Sequence, residues 1–250
     1  MLRLNFHTSA VILSSRQPGE ETFRRDPSAP TLSGPQHNAT AYYDCPSRSQ
    51  MKLILASASS RRAEILTAAG IHFETMPAGV DESRRPNESP EQLVARLAEA
   101  KMRHALARLK GSAGPALVVG ADTEVVVDTP SERNVLGKPV TAADARAMLR
   151  QLSGRTHDVL TGLAVIRLPD GTARTELETT RVSFAPLGDL EIEEYVASGE
   201  SFDKAGAYAI QGRGGRFVTR VEGCYFNVVG LPLARLYRIL RELGWNSGKG

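Results

Sequence analysis

Cysteine is scarce in this sequence, and long apolar runs are absent. Only two of the 250 residues are cysteine, Cys45 and Cys224. They indicate neither a disulfide framework nor a cysteine-ligated zinc site, and such usage is typical of a reducing compartment. No apolar run approaches the roughly 20 residues that a membrane-spanning helix requires. We therefore predict a cytoplasmic protein with no membrane partner.

Aromatic residues and an excess of one charge are also lacking. Lysine and arginine total 31 against 28 aspartates and glutamates, and aromatic residues make up 6% of the chain. No basic run forms a stripe, and no aromatic cluster offers a platform for stacked bases, so no nucleic-acid partner is expected. The net charge of +3 gives weak support for a small anionic ligand.

Several catalytic motifs are missing as well. The chain has no P-loop, no Gly-x-Ser-x-Gly elbow and no pair of histidines at metal-ligand spacing. Its glycine-rich stretch, residues 212–215, does not match the dinucleotide-binding pattern, and on its own it is typical of a mobile hairpin loop. The reactive side chains that remain are Asp, Glu, Lys and Arg. That set suits a hard divalent cation and a polyphosphate.

Residues 1–50 differ in composition from the rest of the chain. The segment contains several prolines among many serines and threonines, without a sustained apolar period, which predicts a disordered extension. Residues 1–16 lack acidic side chains and carry two arginines, as organelle transit peptides do. A start codon assigned too early, with Met51 the true first residue, explains the segment at least as well. We expect one domain over residues 51–246.

From Lys52 onward, patterns typical of strands and helices alternate. Capping boxes at residues 89–92 and 141–144 predict two helix starts. Residues 159–168 and 175–184 are predicted strands joined by a Pro-Asp-Gly turn. Alternating strands and helices together with an antiparallel hairpin predict a mixed α/β sheet rather than a purely parallel one.

The stretch from Leu53 to Arg62 is a short apolar strand, a serine-rich turn and a helix start. Ser59 or Ser60 can cap that helix, whose free N–H groups and positive dipole end attract an anion. Arg61 and Arg62 add forked donors that suit phosphate oxygens. The alternative is a capped helix whose arginines face water.

Four other charged residues are candidates for a site. Asp122 interrupts the continuous apolar strand at residues 116–128, where a carboxylate must be paired, metal-bound or solvated. Lys101 falls on the apolar face of a helix, so it either snorkels from the edge of the core or points into a cleft. Glu82 and Lys138 lie in loops, and the alternative for both is a solvated side chain.

Five blocks occur in the order of a known family: Ser-Ala-Ser-Ser-Arg-Arg from Ser57, Gly-Ala-Asp-Thr at 120–123, Leu-Gly-Lys-Pro at 136–139, Leu-Ser-Gly at 152–154 and Val-Gly-Leu-Pro at 229–232. Over residues 52–243 the chain resembles the Maf family of nucleoside triphosphate pyrophosphatases. The block at 203–212, Asp-Lys-Ala-Gly-Ala-Tyr-Ala-Ile-Gln-Gly, is similar to the branch acting on dTTP and UTP. One departure is Ser60, where the family commonly has proline.

The resemblance implies a mixed, elongated α/β sheet flanked by helices, with two lobes around a central cleft, similar to inosine-triphosphate pyrophosphatases. It implies a divalent cation, Mg²⁺ or Mn²⁺, and release of pyrophosphate from a small-molecule nucleoside triphosphate; a homodimer is also expected. By position, Asp122 matches the family's proton acceptor. The specificity positions match Arg61, Thr123 and Gln211, and the charged cleft positions match Glu82, Lys101 and Lys138.

These assignments lead to a mechanistic hypothesis. Basic groups neutralise the triphosphate so that water can attack, with Glu82 and Asp122 holding the metal or orienting that water. The phosphates would contact Ser57, Ser59, Arg61 and Arg62, and Gln211 would pair with the carbonyl–imide edge of uracil or thymine while Thr123 adds a hydroxyl contact. Two alternatives stay open: a non-catalytic regulator of septum formation, and a pyrophosphatase for modified purine triphosphates such as 7-methyl-GTP.

Overall fold

The computed structural model describes residues 51–109, 114–129 and 133–246. The predicted extension at residues 1–50 lies outside this part of the chain. Among the helices described, none has both the length and the apolar character that crossing a membrane requires.

Seven strands and six α-helices are found within the described residues. The strands are β1 (Lys52–Leu55), β2 (Glu74–Thr75), β3 (Ala116–Asp128), β4 (Arg133–Leu136), β5 (Thr156–Leu168), β6 (Ala173–Phe184) and β7 (Val218–Glu222). The helices are α1 (Ser60–Ala68), α2 (Pro90–Arg108), α3 (Ala142–Leu152), α4 (Asp189–Ala197), α5 (Tyr225–Val229) and α6 (Leu233–Glu242). Both predicted capping boxes are present, at the starts of α2 and α3.

The strands form one mixed sheet in the order β2-β1-β3-β5-β6-β7, with β4 paired to the far end of β3. β1 runs parallel to β2 and β3, and the remaining pairs are antiparallel. The predicted mixed α/β class is therefore confirmed. The hairpin strands β5 and β6 begin earlier than predicted, at Thr156 and Ala173, because polar residues at their starts pair in the ladder without showing an apolar pattern.

Two glycines let α2 pack directly on the centre of the sheet. A Cβ atom on Gly120 of β3 would lie 2.1 Å from the Ala98 carbonyl oxygen, and one on Gly162 of β5 would lie 2.2 Å from that of Val94. Both distances are far shorter than a van der Waals contact, so any side chain would push the helix away. This close approach brings Lys101, one turn beyond Ala98, next to Asp122, which pairs with Gly162 across the sheet.

The buried apolar side chains form two main cores. One joins β1, α1 and α6 to the sheet and includes Leu55, Leu66 and Leu240. The other joins α3 and α4 to the far part of the sheet. It contains a cluster of aromatic side chains, in which the rings of Phe184 and Phe217 are in tilted contact. Side chains from both cores line the cavity described next, as expected for two lobes around a cleft.

Candidate functional site

A cavity of about 290 Å³ opens at the centre of the sheet. The lining comes from the start of α1, the loop before α2, α2, β3, the loop before α3, β5, the glycine-rich segment after α4 and the end of α5. Nine of the ten site residues expected from the sequence line it: Ser59, Arg61, Arg62, Glu82, Lys101, Asp122, Thr123, Lys138 and Gln211. Side chains as far apart in sequence as those of Ser59 and Gln211 therefore share one space.

Lys101 lies between two carboxylates. Its ammonium nitrogen is 2.6 Å from Asp122 Oδ1 and 2.6 Å from Glu82 Oε1. Lys101 and Asp122 are both buried, with 8% and 5% of their surface exposed. Of the alternatives for this lysine, the structure shows the one in which it points into the cleft. Burial acts to raise the pKa of Glu82, but the hydrogen bond from Lys101 and the charges of Lys101 and Lys138 outweigh it, so that pKa is lowered.

A third carboxylate in the cavity lining, Glu124, is not among the site residues predicted from the sequence. It follows Asp122 by two positions on β3, so both side chains leave the same face of the strand. Burial and the carboxylates of Asp122 and Glu82 raise the pKa of Glu124 to about 8. Asp122 Oδ2 and Glu124 Oε2 are buried, and no donor in the described part of the chain reaches either oxygen. The alternation of Asp122 and Glu124 along β3 was the available signal. The three valines that follow break this alternation and made it hard to recognise.

Arg62 is buried and holds three segments together. Its Nε donates to the Gly230 carbonyl at 2.8 Å, while its two Nη atoms donate to Ser57 Oγ at 3.2 Å and Thr123 Oγ1 at 3.0 Å. Burial lowers the pKa of this guanidinium. The alternative that both arginines face water is wrong for Arg62. Three of its five N–H groups bind the protein, which leaves two for a ligand.

The serine-rich turn differs from the prediction in two ways. Ser59 occupies the N-cap position of α1, but its side chain makes no capping hydrogen bond. Its own N–H donates to Ser57 Oγ at 3.2 Å, so that hydroxyl supports the turn and Arg62, and Ser57 is not part of the cavity lining. As in any α-helix, the first N–H groups of α1 have no partner within the helix, and they remain available to an anion.

The hydroxyl of Thr123 already has protein partners. Besides accepting from Arg62, its Oγ1 lies 2.9 Å from Thr161 Oγ1 and 3.3 Å from the Gly230 carbonyl oxygen. A hydroxyl with so many neighbours has little capacity left for a nucleobase. In the structure, Thr123 supports Arg62 by accepting a hydrogen bond from it.

The segment after α4 supplies the remaining polar groups. Two short 3-10 turns, Ala205–Ala207 and Arg213–Phe217, flank Gln211, which is exposed and lines the cavity. Lys204 also lines the cavity, and it was not predicted because it lies in a stretch without periodicity. Burial and the charge of Arg61 lower the pKa of Lys204. Arg61 Nη2 donates to the Asp203 carbonyl at 3.1 Å and so joins α1 to this segment.

The fold and the cavity define an α/β protein with a charged cavity beside the central strands of its sheet. The family model described as "Maf-like protein" matches residues 52–243. The chain therefore belongs to the Maf family, and the resemblance predicted from the five sequence blocks is confirmed.

Curated relatives cover nearly all of the described chain. A dTTP/UTP pyrophosphatase of Koribacter versatilis is 48% identical over 194 residues, which is 78% of this chain and 95% of that protein. Those of Anaeromyxobacter sp. and Carboxydothermus hydrogenoformans are 50% identical over 206 residues and 46% identical over 195 residues. They span 80% and 78% of this chain, and 95% and 100% of their own lengths.

One solved structure shows a more distant likeness. It is a nucleoside-triphosphatase described as a dITP/XTP pyrophosphatase from Mycobacterium abscessus, 18% identical with a TM-score of 0.33. The match covers 55% of this chain and 76% of the other. A TM-score of that size does not by itself establish a shared fold.

Proposed function

We propose that this protein hydrolyses dTTP and UTP to the nucleoside monophosphate and pyrophosphate, acting in the cytoplasm as a nucleotide diphosphatase on phosphoric anhydride bonds. The names of the relatives support this substrate class. The observation that carries it is the convergence of Lys101, Asp122 and Glu82 in a cavity that also holds several further basic groups.

Basic groups around the cavity would neutralise the triphosphate. A triphosphate repels an incoming nucleophile until its charge is balanced by fixed donors and cations. Arg61, Lys138 and Lys204 line the cavity together with the N-terminus of α1, and each offers a positive group to a phosphate oxygen. Arg62 would act mainly by holding this end of the site in place.

Asp122 is the proposed general base. One carboxylate oxygen, Oδ1, is held by Lys101 at 2.6 Å, and the other is buried without a partner among the described residues. The ion pair with Lys101 holds the carboxylate in place. The free oxygen can therefore accept the proton of a water molecule within hydrogen-bond reach.

A divalent cation fits the acidic side of the cavity. The unpartnered oxygens of Asp122 and Glu124 are hard donors of the kind that Mg²⁺ and Mn²⁺ prefer, and Glu82 lies nearby. Within the described residues no three acidic, His or Cys side chains form a complete metal site, so substrate phosphates would supply further ligands, as is common for Mg²⁺. When bound, the ion makes water more acidic and neutralises phosphate charge.

A substrate panel tests the proposal. The purified protein is incubated with dTTP, UTP, dCTP, GTP and 7-methyl-GTP, with Mg²⁺ or Mn²⁺ and with EDTA. We expect metal-dependent release of pyrophosphate and monophosphate, fastest from dTTP and UTP. Preference for 7-methyl-GTP would support the purine alternative, and no turnover of any nucleotide would favour a non-catalytic role.

A further inference from the structure

A side-chain clamp holds the backbone on both sides of Gln211. The Tyr195 hydroxyl, on α4, accepts from the Ala209 N–H at 3.1 Å and donates to Glu200 Oε1 at 3.0 Å. The Glu200 carboxylate in turn accepts from the Arg213 and Gly214 N–H groups, each at 3.0 Å. The clamp, Tyr195 and Glu200, therefore fixes the chain two residues before Gln211 and two residues after it.

The glycines of this segment make room for the clamp. A Cβ atom on Gly212 would lie 2.8 Å from Glu200 Oε2, and one on Gly214 would lie 2.7 Å from the Tyr195 hydroxyl. Gly212 also has φ +127°, a conformation that side chains disfavour. These glycines are thus explained by the close approach of Glu200 and Tyr195, and neither a dinucleotide site nor a mobile hairpin is needed to account for them.

The electrostatics of the clamp favour its charged, hydrogen-bonded form. Burial acts to raise the pKa of Glu200, but the N–H groups of Gly214 and Arg213 outweigh it and lower that pKa. Burial, followed by the Glu200 carboxylate, raises the pKa of the Tyr195 hydroxyl. Tyr195 therefore remains a donor and Glu200 an acceptor at neutral pH.

A glutamine amide alone does not distinguish uracil from cytosine. Rotated by half a turn, it exchanges its donor and acceptor, so it can pair with the N3–H and O4 of uracil or with the N3 and N4–H₂ of cytosine. Backbone N–H and C=O groups cannot make this exchange. Neighbouring backbone groups at fixed positions can supply this selectivity. Ala209 and Ile210 line the cavity beside Gln211, and the clamp holds the backbone at Ala209.

We propose that Glu200, assisted by Tyr195, is a positioning residue that fixes residues 209–214 and thereby gives the site its preference for uracil and thymine over cytosine. This inference rests on the proposed function. It assigns to Glu200 a role in base selection and none in the chemical step. Glu200 is not among the residues that line the cavity, and within the described chain its carboxylate is hydrogen-bonded to Tyr195 and to the N–H groups of Arg213 and Gly214.

The central test is Glu200→Gln. This change keeps the shape of the side chain but replaces one carboxylate oxygen, which accepts hydrogen bonds, with an NH₂ group, which donates them. We expect the ratio of kcat/KM for dTTP over dCTP to fall about tenfold, mainly through KM for dTTP. Hydrogen exchange in peptides covering residues 209–214 should become faster. Glu200→Asp, which retains the carboxylate, should restore part of the preference, and Tyr195→Phe should lower it in the same direction.

The matched control is Glu194→Gln on α4, an identical chemical change at an exposed side chain for which the described residues show no ion pair or hydrogen bond. It should leave both the preference and the exchange unchanged. If Glu200→Gln does not purify as a folded protein, Tyr195→Phe takes its place in the same comparison. Wild-type preference in the clamp variant, or a loss confined to kcat, overturns the inference.

Equilibrium binding of dTTP and dCTP in EDTA separates this inference from the proposed function. A wild-type protein that binds dTTP more tightly than dCTP but releases no pyrophosphate with metal contradicts the proposed hydrolysis only. If Glu200→Gln also loses this preference for binding dTTP over dCTP, that loss still supports the clamp. If the wild-type protein hydrolyses dTTP but Glu200→Gln keeps the wild-type preference for dTTP over dCTP, only the clamp is contradicted.

Discussion

The two sides of the cavity are held in place by different physical means. On one side, Lys101 and Asp122 are fixed by the packing of α2 against β3 and β5, where Gly120 and Gly162 allow backbone contact. On the other side, the exposed Gln211 lies on a segment whose backbone N–H groups donate hydrogen bonds to Tyr195 and Glu200. We infer that hydrolysis depends on the packing of the core, whereas base selection depends on a few polar side chains. These side chains can be substituted without disturbing that packing.

Removing the carboxylate at the packed side should have the largest effect. Asp122→Asn keeps the size of the side chain but removes the proton acceptor, so turnover of dTTP should fall by at least about a hundredfold, the usual scale for a general base. The measurement is kcat together with the melting temperature, which should show a folded protein. Asp128→Asn, at the exposed end of the same strand, is the control, and near-normal turnover by Asp122→Asn would remove it from the catalytic role.

Next in size is the effect of separating α2 from the sheet. Gly120→Ala places a methyl group 2.1 Å from a helix carbonyl, and the resulting strain should cost about 1–3 kcal/mol in the free energy of unfolding. Because Lys101 moves with the helix, turnover should fall as well, with less effect on the choice of base. Gly79→Ala is the control, since a Cβ there meets no described atom within 4 Å. Unchanged stability would mean that the close packing is not needed.

A smaller effect is expected at the contact between the two sides. Arg61 donates to the Asp203 carbonyl and would offer its other donors to the triphosphate. Arg61→Ala should raise KM for dTTP about tenfold, the scale of one hydrogen bond to a charged group. Steady-state kinetics on dTTP test this, with the exposed Arg103→Ala as control; wild-type kinetics in Arg61→Ala would place this arginine outside the site.

The smallest effect concerns His157. Its Nε2 is hydrogen-bonded to the hydroxyl of Tyr208, which lies in the same segment as Gln211, at 2.9 Å. Burial lowers the pKa of His157 from 6.5 to about 4. Below pH 6.5 the unfolded chain therefore binds more protons than the folded one, and stability falls as pH falls. Between pH 6.5 and 5.5 this loss should be about 1 kcal/mol.

Denaturant unfolding at several pH values measures this contribution. His157→Gln should remove that part of the pH dependence, and His72→Gln, at an exposed histidine, should not. An equal slope in wild type and His157→Gln would contradict the assignment.

The packed side was the easier of the two to predict from the sequence. A continuous apolar strand interrupted by Asp122, and a lysine on the apolar face of a helix, are local signals of burial, and burial obliges charges to pair. Their partnership was not visible, since it depends on where two glycines let the helix approach. Glu124 was missed because its alternation with Asp122 covers only two positions.

The glycine-rich side could not be derived from local pattern. Glu200 and Tyr195 act on residues 13 and 14 positions away, with no periodicity between them. The sequence likewise predicts phosphate contact by Arg62 but not its supporting role, because it does not show that Gly230 and Thr123 converge on this side chain. The family resemblance located Thr123 and Gln211 but neither Glu200 nor Tyr195, and only the structure shows which residues support others.

The most direct test of the central claim is the identity of the products formed from dTTP. In a ³¹P NMR time course with purified protein and Mg²⁺, the account predicts pyrophosphate and dTMP appearing together in equal amounts, and neither appearing with Asp122→Asn on the same timescale. Formation of dTDP and inorganic phosphate, or an Asp122→Asn time course that matches wild type, would contradict it.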